Sequence, residues 1–149
     1  MSKIIVSACL LGCECRYDGK KKPKQQVIDL SKKHVLIPIC PEQMGGLPTP
    51  RIPSEINGDK VINSEGKDVT NEYQKGAQMA LNIAKLNDAK IAILKAKSPS
   101  CGKDFIYDGT FSRQLIEGNG VTVDLFLQNG IDVYTENELG ILKKTISED

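Results

Sequence analysis

Three short runs of aliphatic and β-branched residues stand out from a mostly polar chain: Lys3-Ile4-Ile5-Val6-Ser7-Ala8, Val35-Leu36-Ile37-Pro38-Ile39 and Lys90-Ile91-Ala92-Ile93-Leu94-Lys95. None alternates apolar with polar, and unbroken apolar runs of this length mark strands covered on both faces. Between the second and third, Val69, Tyr73, Ala77, Ala80 and Ala84 recur at helical spacing. With Asp68 or Thr70 as N-cap, this predicts a helix over Asp68 to Asp88. Val121 to Gln128 reads as a second helix, closed by Asn129-Gly130. Ile131-Asp132-Val133-Tyr134 is a fourth strand. Thr135 followed three residues later by Glu138 then has the capping-box pattern, which opens a terminal helix to Ile146.

Alternating strands and helices predict one α/β domain over residues 1–149, with a mainly parallel, doubly wound, Rossmann-like sheet and right-handed crossovers. Two stretches break the rhythm, Pro41 to Gly66 and Ser98 to Gly118, both rich in Pro, Gly and polar residues. Long loops in a compact domain usually carry function. A short hairpin over Asp59 to Val69, turning at Ser64-Glu65-Gly66, fits the first of them.

Composition narrows the chemistry. With 20 basic against 19 acidic residues the chain lacks the electrostatic footprint of a nucleic-acid binder, and Lys20-Lys21-Lys22-Pro23-Lys24 is read as a solvated loop. The apolar run at the start breaks at Gly12 and Cys13, too short for a spanning helix or a signal peptide, so a cytoplasmic protein without membrane contact is expected. The single histidine, His34, reads as a strand-edge residue, and there is no tryptophan. Histidine-based metal sites and triads therefore lack raw material. Five cysteines, an odd number in a chain without an export signal, point to reactive or metal-binding thiolates rather than a disulfide framework.

Cys9 falls at the end of the first predicted strand, Cys40 at the end of the second and Cys101 just past the third. In an open α/β sheet ligands bind outside the carboxyl ends of the strands, so these distant residues are expected to line one crevice. Three thiolates suit either zinc with one open position or a cubane iron–sulfur cluster with one iron lacking a protein ligand. Burial as small core residues is the alternative. Cys13 and Cys15 are read as incidental. Glu42, two residues after Cys40, is the best general acid or base candidate, and Ser98 and Ser100 flank Pro99 before Cys101. Arg16, Arg51 and Lys97 are candidates for holding a polar substrate edge; for the arginines, ion pairs with Asp18 or Glu55 are the structural alternative.

Three ordered segments carry a resemblance: Val6-Ser7-Ala8-Cys9-Leu10-Leu11-Gly12 with Cys15-Arg16-Tyr17-Asp18-Gly19; Cys40-Pro41-Glu42 with Gly45-Gly46-Leu47-Pro48-Thr49-Pro50-Arg51; and Lys97-Ser98-Pro99-Ser100-Cys101-Gly102. Together they resemble a bacterial and archaeal family associated with thiouracil desulfidases. The resemblance implies an oxygen-sensitive [4Fe-4S] cluster, lost in air, held by Cys9, Cys40 and Cys101 with one iron free of protein ligands. It also implies that Glu42 and either Ser98 or Ser100 handle substrate. The implied activity is non-redox, hydrolytic removal of sulfur from a small thiolated nucleobase, giving uracil and sulfide. A sensory or structural cluster protein, or a zinc-binding module, is the rival expectation.

Overall fold

The computed structural model describes residues 1–147. In chain order the elements are β1 (Lys3–Ser7), a 3₁₀ turn (Ala8–Leu11), α1 (Gln25–Ile28), a second 3₁₀ turn (Asp29–Lys32), β2 (Val35–Ile39), α2 (Pro41–Met44), β3 (Ser54–Asn57) and β4 (Lys60–Asn63). There follow α3 (Thr70–Leu86), β5 (Ile91–Leu94), β6 (Phe105–Tyr107), β7 (Leu115–Glu117), α4 (Val121–Gln128), β8 (Asp132–Thr135) and α5 (Leu139–Ser147).

The apolar runs form a four-stranded sheet in the order β2-β1-β5-β8, every pair parallel. Alternate residues enter different cores. Ile5 of β1 and Ala92 and Leu94 of β5 pack with Ala80, Leu81 and Ala84 of α3 and Val123 and Phe126 of α4. Ile4, Val6 and Ile93 face Val27 of α1, Leu30, and Leu139 and Leu142 of α5. Burial on both faces is why these strands read as continuous apolar runs. Pro38 fits β2 because that strand lies at the sheet edge, where a missing N–H costs no ladder bond.

Parallel pairing puts all four strand ends on one rim. From β1 the chain moves outward to β2, then crosses back to β5 on the other side of β1. That reversal makes the rim between β1 and β5 a topological switch point, where open α/β sheets bind ligands.

The two irregular stretches each hold an antiparallel hairpin. The first is displaced from the sequence reading: β3 and β4 turn at Gly58-Asp59, with Gly58 at φ 65°. Ser64-Glu65-Gly66 does turn, but its outgoing arm meets β4 only through an isolated bridge between Ile62 and Asp68. The second hairpin, β6–β7, lies within the stretch read as loop. At the last helix the capping box forms in half. The Glu138 carboxylate accepts the Thr135 N–H at 2.9 Å, while Thr135 Oγ1 accepts from Asn137, and α5 starts at Leu139. His34 sits beside the first strand, its Nδ1 accepting the Ser2 N–H at 3.1 Å. Lys20 to Pro23 are exposed.

Candidate active site

Each chemically interesting residue is delivered by a strand end. The chain leaving β1 turns at once into the Ala8–Leu11 3₁₀ segment, which buries Cys9. Leaving β2, Cys40 precedes α2, whose first turn carries Glu42. Short α2 is seated on α3 by two glycines. A Cβ at Gly45 would lie 1.9 Å from the Glu72 carbonyl oxygen, and one at Gly76 only 1.8 Å from that of Pro41. The loop after β5 brings in Ser98 and Cys101, and Gly120 at the start of α4 lets the Ser100 carbonyl approach to 2.4 Å of where a Cβ would stand.

These segments enclose a cavity of about 360 Å³, lined by Cys9, Cys15, Cys40, Cys101, Glu42 and Ser98 among others. Cys9, Cys15 and Cys101 are buried, Cys40 is half-buried and Cys13 is exposed. Cys15, which the sequence reading set aside, thus stands among the thiols. Its carbonyl oxygen accepts from Cys40 Sγ at 3.7 Å and from Arg51 Nη2 at 3.1 Å.

Sulfurs packed this closely resist ionising in the absence of a cation. The hydrogen bond with Cys15 and then burial push the Cys40 thiol far up. Burial and the nearby Glu42 charge do the same for Cys101, against hydrogen bonds from Ser7 and Ser100. For Cys15 the bond with Cys40 pulls down, but the bond with Cys9, burial and charge at Cys9 and Cys13 outweigh it, and the thiol rises to about 11. Soft, buried sulfurs of this kind suit iron–sulfur clusters or zinc. Among the described residues no three His, Cys, Asp or Glu side chains gather tightly enough for a single metal ion. The cysteines line a cavity of molecular size, which fits a polynuclear group better than one ion.

Glu42 is the carboxylate at this cavity, its side chain 13% exposed. Burial raises its carboxyl above the usual range, opposed by the Arg51 guanidinium and by a hydrogen bond from the Ser98 hydroxyl. Ser98 Oγ also accepts the N–H groups of Ser100 and Cys101, both at 3.1 Å, so its own proton is left for Glu42. Ser100 is placed differently from the expectation. Its fully buried hydroxyl shares a 2.7 Å hydrogen bond with Thr122 and supports Cys101 from behind, and it does not line the cavity.

Both arginines line the cavity, yet both are held by the protein. Arg16 meets Asp18 at 3.5 Å, the structural pairing anticipated. Arg51 meets Glu42 at 3.8 Å rather than Glu55, and donates to the carbonyls of Pro48 and Cys15 and to Thr49 Oγ1. Lys97 is an exposed lining residue with φ 70°. Sequence reasoning missed Ser7, a cavity residue that accepts the Lys95 N–H at 2.9 Å. It also missed Lys95, clamped to Glu136 at 2.8 Å, and Tyr73, a cavity residue on the apolar stripe of α3. Only Ser7, at the end of an apolar strand beside Cys9, left a trace in the sequence.

Fold and site define a class: a doubly wound α/β protein with a cysteine-lined cavity at the switch point of its sheet. The chain belongs to the 2-thiouracil desulfurase family, whose model matches residues 4–138. It is 44% identical over 146 residues to the uncharacterized protein YbbK of Bacillus subtilis (strain 168), covering 91% of this chain and 97% of that one. The solved structure of a [4Fe-4S]-dependent thiouracil desulfidase, TudS, superposes with a TM-score of 0.95 at 41% identity over 100% of both chains. No helix among the described residues is long and apolar enough to cross a membrane.

Proposed function

We propose that this protein is a thiouracil desulfidase, replacing the sulfur of a thiolated pyrimidine such as 2- or 4-thiouracil by the oxygen of water and releasing uracil and sulfide. The observation that carries this is the company kept in one cavity: three cysteines from three strand ends, with Glu42 and Ser98 at the wall. Family membership and the likeness to a [4Fe-4S]-dependent thiouracil desulfidase support it. A cavity of about 360 Å³ is in the range of small-molecule sites and suits a single-ring base rather than a polymer.

Cys9, Cys40 and Cys101 would hold a [4Fe-4S] cluster by three points. When bound, the cluster supplies a Lewis-acidic iron, free of protein ligands, toward the thiocarbonyl sulfur. Glu42 takes the proton of the attacking water at a carboxylate oxygen, which its raised proton affinity favours. Arg51 steadies that carboxylate when charged, and the Ser98 hydroxyl holds it in line for the base. The sum is water plus thiocarbonyl giving carbonyl plus hydrogen sulfide, with no net electron transfer. Lys97 and Arg16 at the rim are positioned to meet the polar edge of the base.

The test is sulfide and uracil formation by anaerobically reconstituted protein given 2-thiouracil or 4-thiouracil under nitrogen. Equal amounts of both products are expected. A loaded protein that releases neither would return the reading to a sensory or structural cluster protein.

A further inference from the structure

The loop joining β6 to β7, residues 108–114, plays no part in the chemistry above, yet it is unusually well held. Glu55 of β3 is 9% exposed, and one oxygen of its carboxylate, Oε1, accepts two loop N–H groups: Gly109 at 3.0 Å and Phe111 at 3.1 Å. The loop backbone lies directly on β3. Gly109 has φ 95°, and a Cβ there would come 2.9 Å from the Ile56 carbonyl oxygen. Two residues of the loop, Phe111 at φ 59° and Arg113 at φ 62°, occupy the left-handed region that bulky side chains rarely adopt. Phe111, Arg113 and Glu55 all line the cavity that holds the cysteines.

A buried carboxylate committed to two N–H groups, with two strained residues, is more than a surface turn needs. Strain of this kind persists where the surroundings over-determine it, typically at ligand-binding positions. What the arrangement delivers is an aromatic ring at the cavity, still 38% exposed. The other aromatic lining residues are presented differently: Tyr73 is buried, Tyr107 is half-buried within β6, and Tyr17, as exposed as Phe111, has its ring covered by the Arg16 guanidinium at 5.7 Å.

We propose that Phe111 is a specificity-determining residue that stacks on the planar ring of the thiolated pyrimidine, and that Glu55 is its positioning residue, fixing loop 108–114 on β3. The inference rests on the desulfidase reading and adds the group that selects a flat heteroaromatic substrate. Aromatic stacking is sequence-tolerant and rewards any base with a π face, which matches a single-ring substrate held otherwise at its sulfur.

The test is steady-state kinetics of the reconstituted enzyme with 2-thiouracil. Phe111→Ala is expected to raise KM about tenfold with kcat changed less than about threefold, while Phe111→Tyr keeps the wild-type KM. Glu55→Ala is expected to raise KM by a similar factor, and the double variant no further, because both changes remove one interaction. Phe105→Ala, an exposed aromatic on the same hairpin outside the cavity lining, should leave both constants unchanged. A second readout needs no turnover. The chain has no tryptophan, so Phe111→Trp introduces a single indole whose emission should be quenched saturably by uracil, at about tenfold higher uracil once Glu55→Ala is added. Wild-type turnover with an unchanged KM in Phe111→Ala, or indole emission indifferent to uracil, overturns the inference alone. Wild-type protein releasing no sulfide from either thiobase overturns the desulfidase reading and the inference with it.

Discussion

Glu42 is bound on one side to a cation and on the other to a hydroxyl, and that pairing decides which substitution informs. Glu42→Gln keeps the shape and a partner for Ser98 but removes the proton acceptor, so kcat with 2-thiouracil should fall by about 10²–10⁴ while the visible absorption of the cluster stays. A rate within about threefold of wild type would remove Glu42 from the chemistry. Cys15 invites a separate question, since it lines the same cavity as the proposed ligands and its carbonyl accepts from Cys40 Sγ. With Cys9, Cys40 and Cys101 as the proposed ligands, Cys15→Ser should retain the cluster absorption after anaerobic reconstitution; its loss would make Cys15 a ligand. At this scale the sequence was informative where chemistry follows a strand end, as for Cys9, Cys40 and Glu42. It was silent on which of two neighbouring serines faces the cavity, because Ser98 and Ser100 are separated by one turn of backbone and only the contact with Thr122 draws the second away.

Elements are placed by close backbone approach as much as by side-chain packing. Alanine ordinarily strengthens a helix relative to glycine by about 1 kcal/mol. In α3 the sign should reverse: Gly76→Ala places a methyl against the Pro41 carbonyl, and overpacking of this kind costs about 1–3 kcal/mol. Urea denaturation should show lower stability, and the displaced α2 should weaken cluster loading; a more stable variant would contradict the packing. The junction of β8 and α5 makes a pH-dependent case. Burial raises the Glu138 carboxyl, but the Thr135 N–H and the Lys103 ammonium outweigh it and hold the group below its ordinary value of 4.5. A depressed carboxyl stabilises the fold above its unfolded value and loses that contribution as pH falls through the folded one. Glu138→Gln should thus be less stable than wild type at neutral pH, with the gap narrowing below pH 4.5; a gap constant with pH would exclude the linkage. The strands and long helices were legible because their apolar spacing records burial directly. The hairpins were not: β7 is exposed throughout, so nothing in its apolar pattern registers a buried face, and β3 takes its partner from the turn at Gly58-Asp59.

For the whole molecule, the sheet order explains why residues so far apart in the chain form one site. A parallel sheet brings every strand end to one rim, and the reversal at β1 opens a gap there into which three cysteines and Glu42 are delivered. The sequence contained the strand ends and the loop glycines, which sufficed to expect a shared crevice. It did not contain the cover: Glu55, Phe111 and Arg113 reach the cavity from two hairpins whose placement depends on tertiary contacts. The central claim is that Cys9, Cys40 and Cys101 together hold the cluster, and iron and acid-labile sulfide per chain after anaerobic reconstitution measure it directly. The wild type should hold close to four of each, as in a [4Fe-4S] protein, with a marked loss in Cys9→Ser, Cys40→Ser and Cys101→Ser taken singly. Full iron and sulfide in any one of these three variants would contradict it.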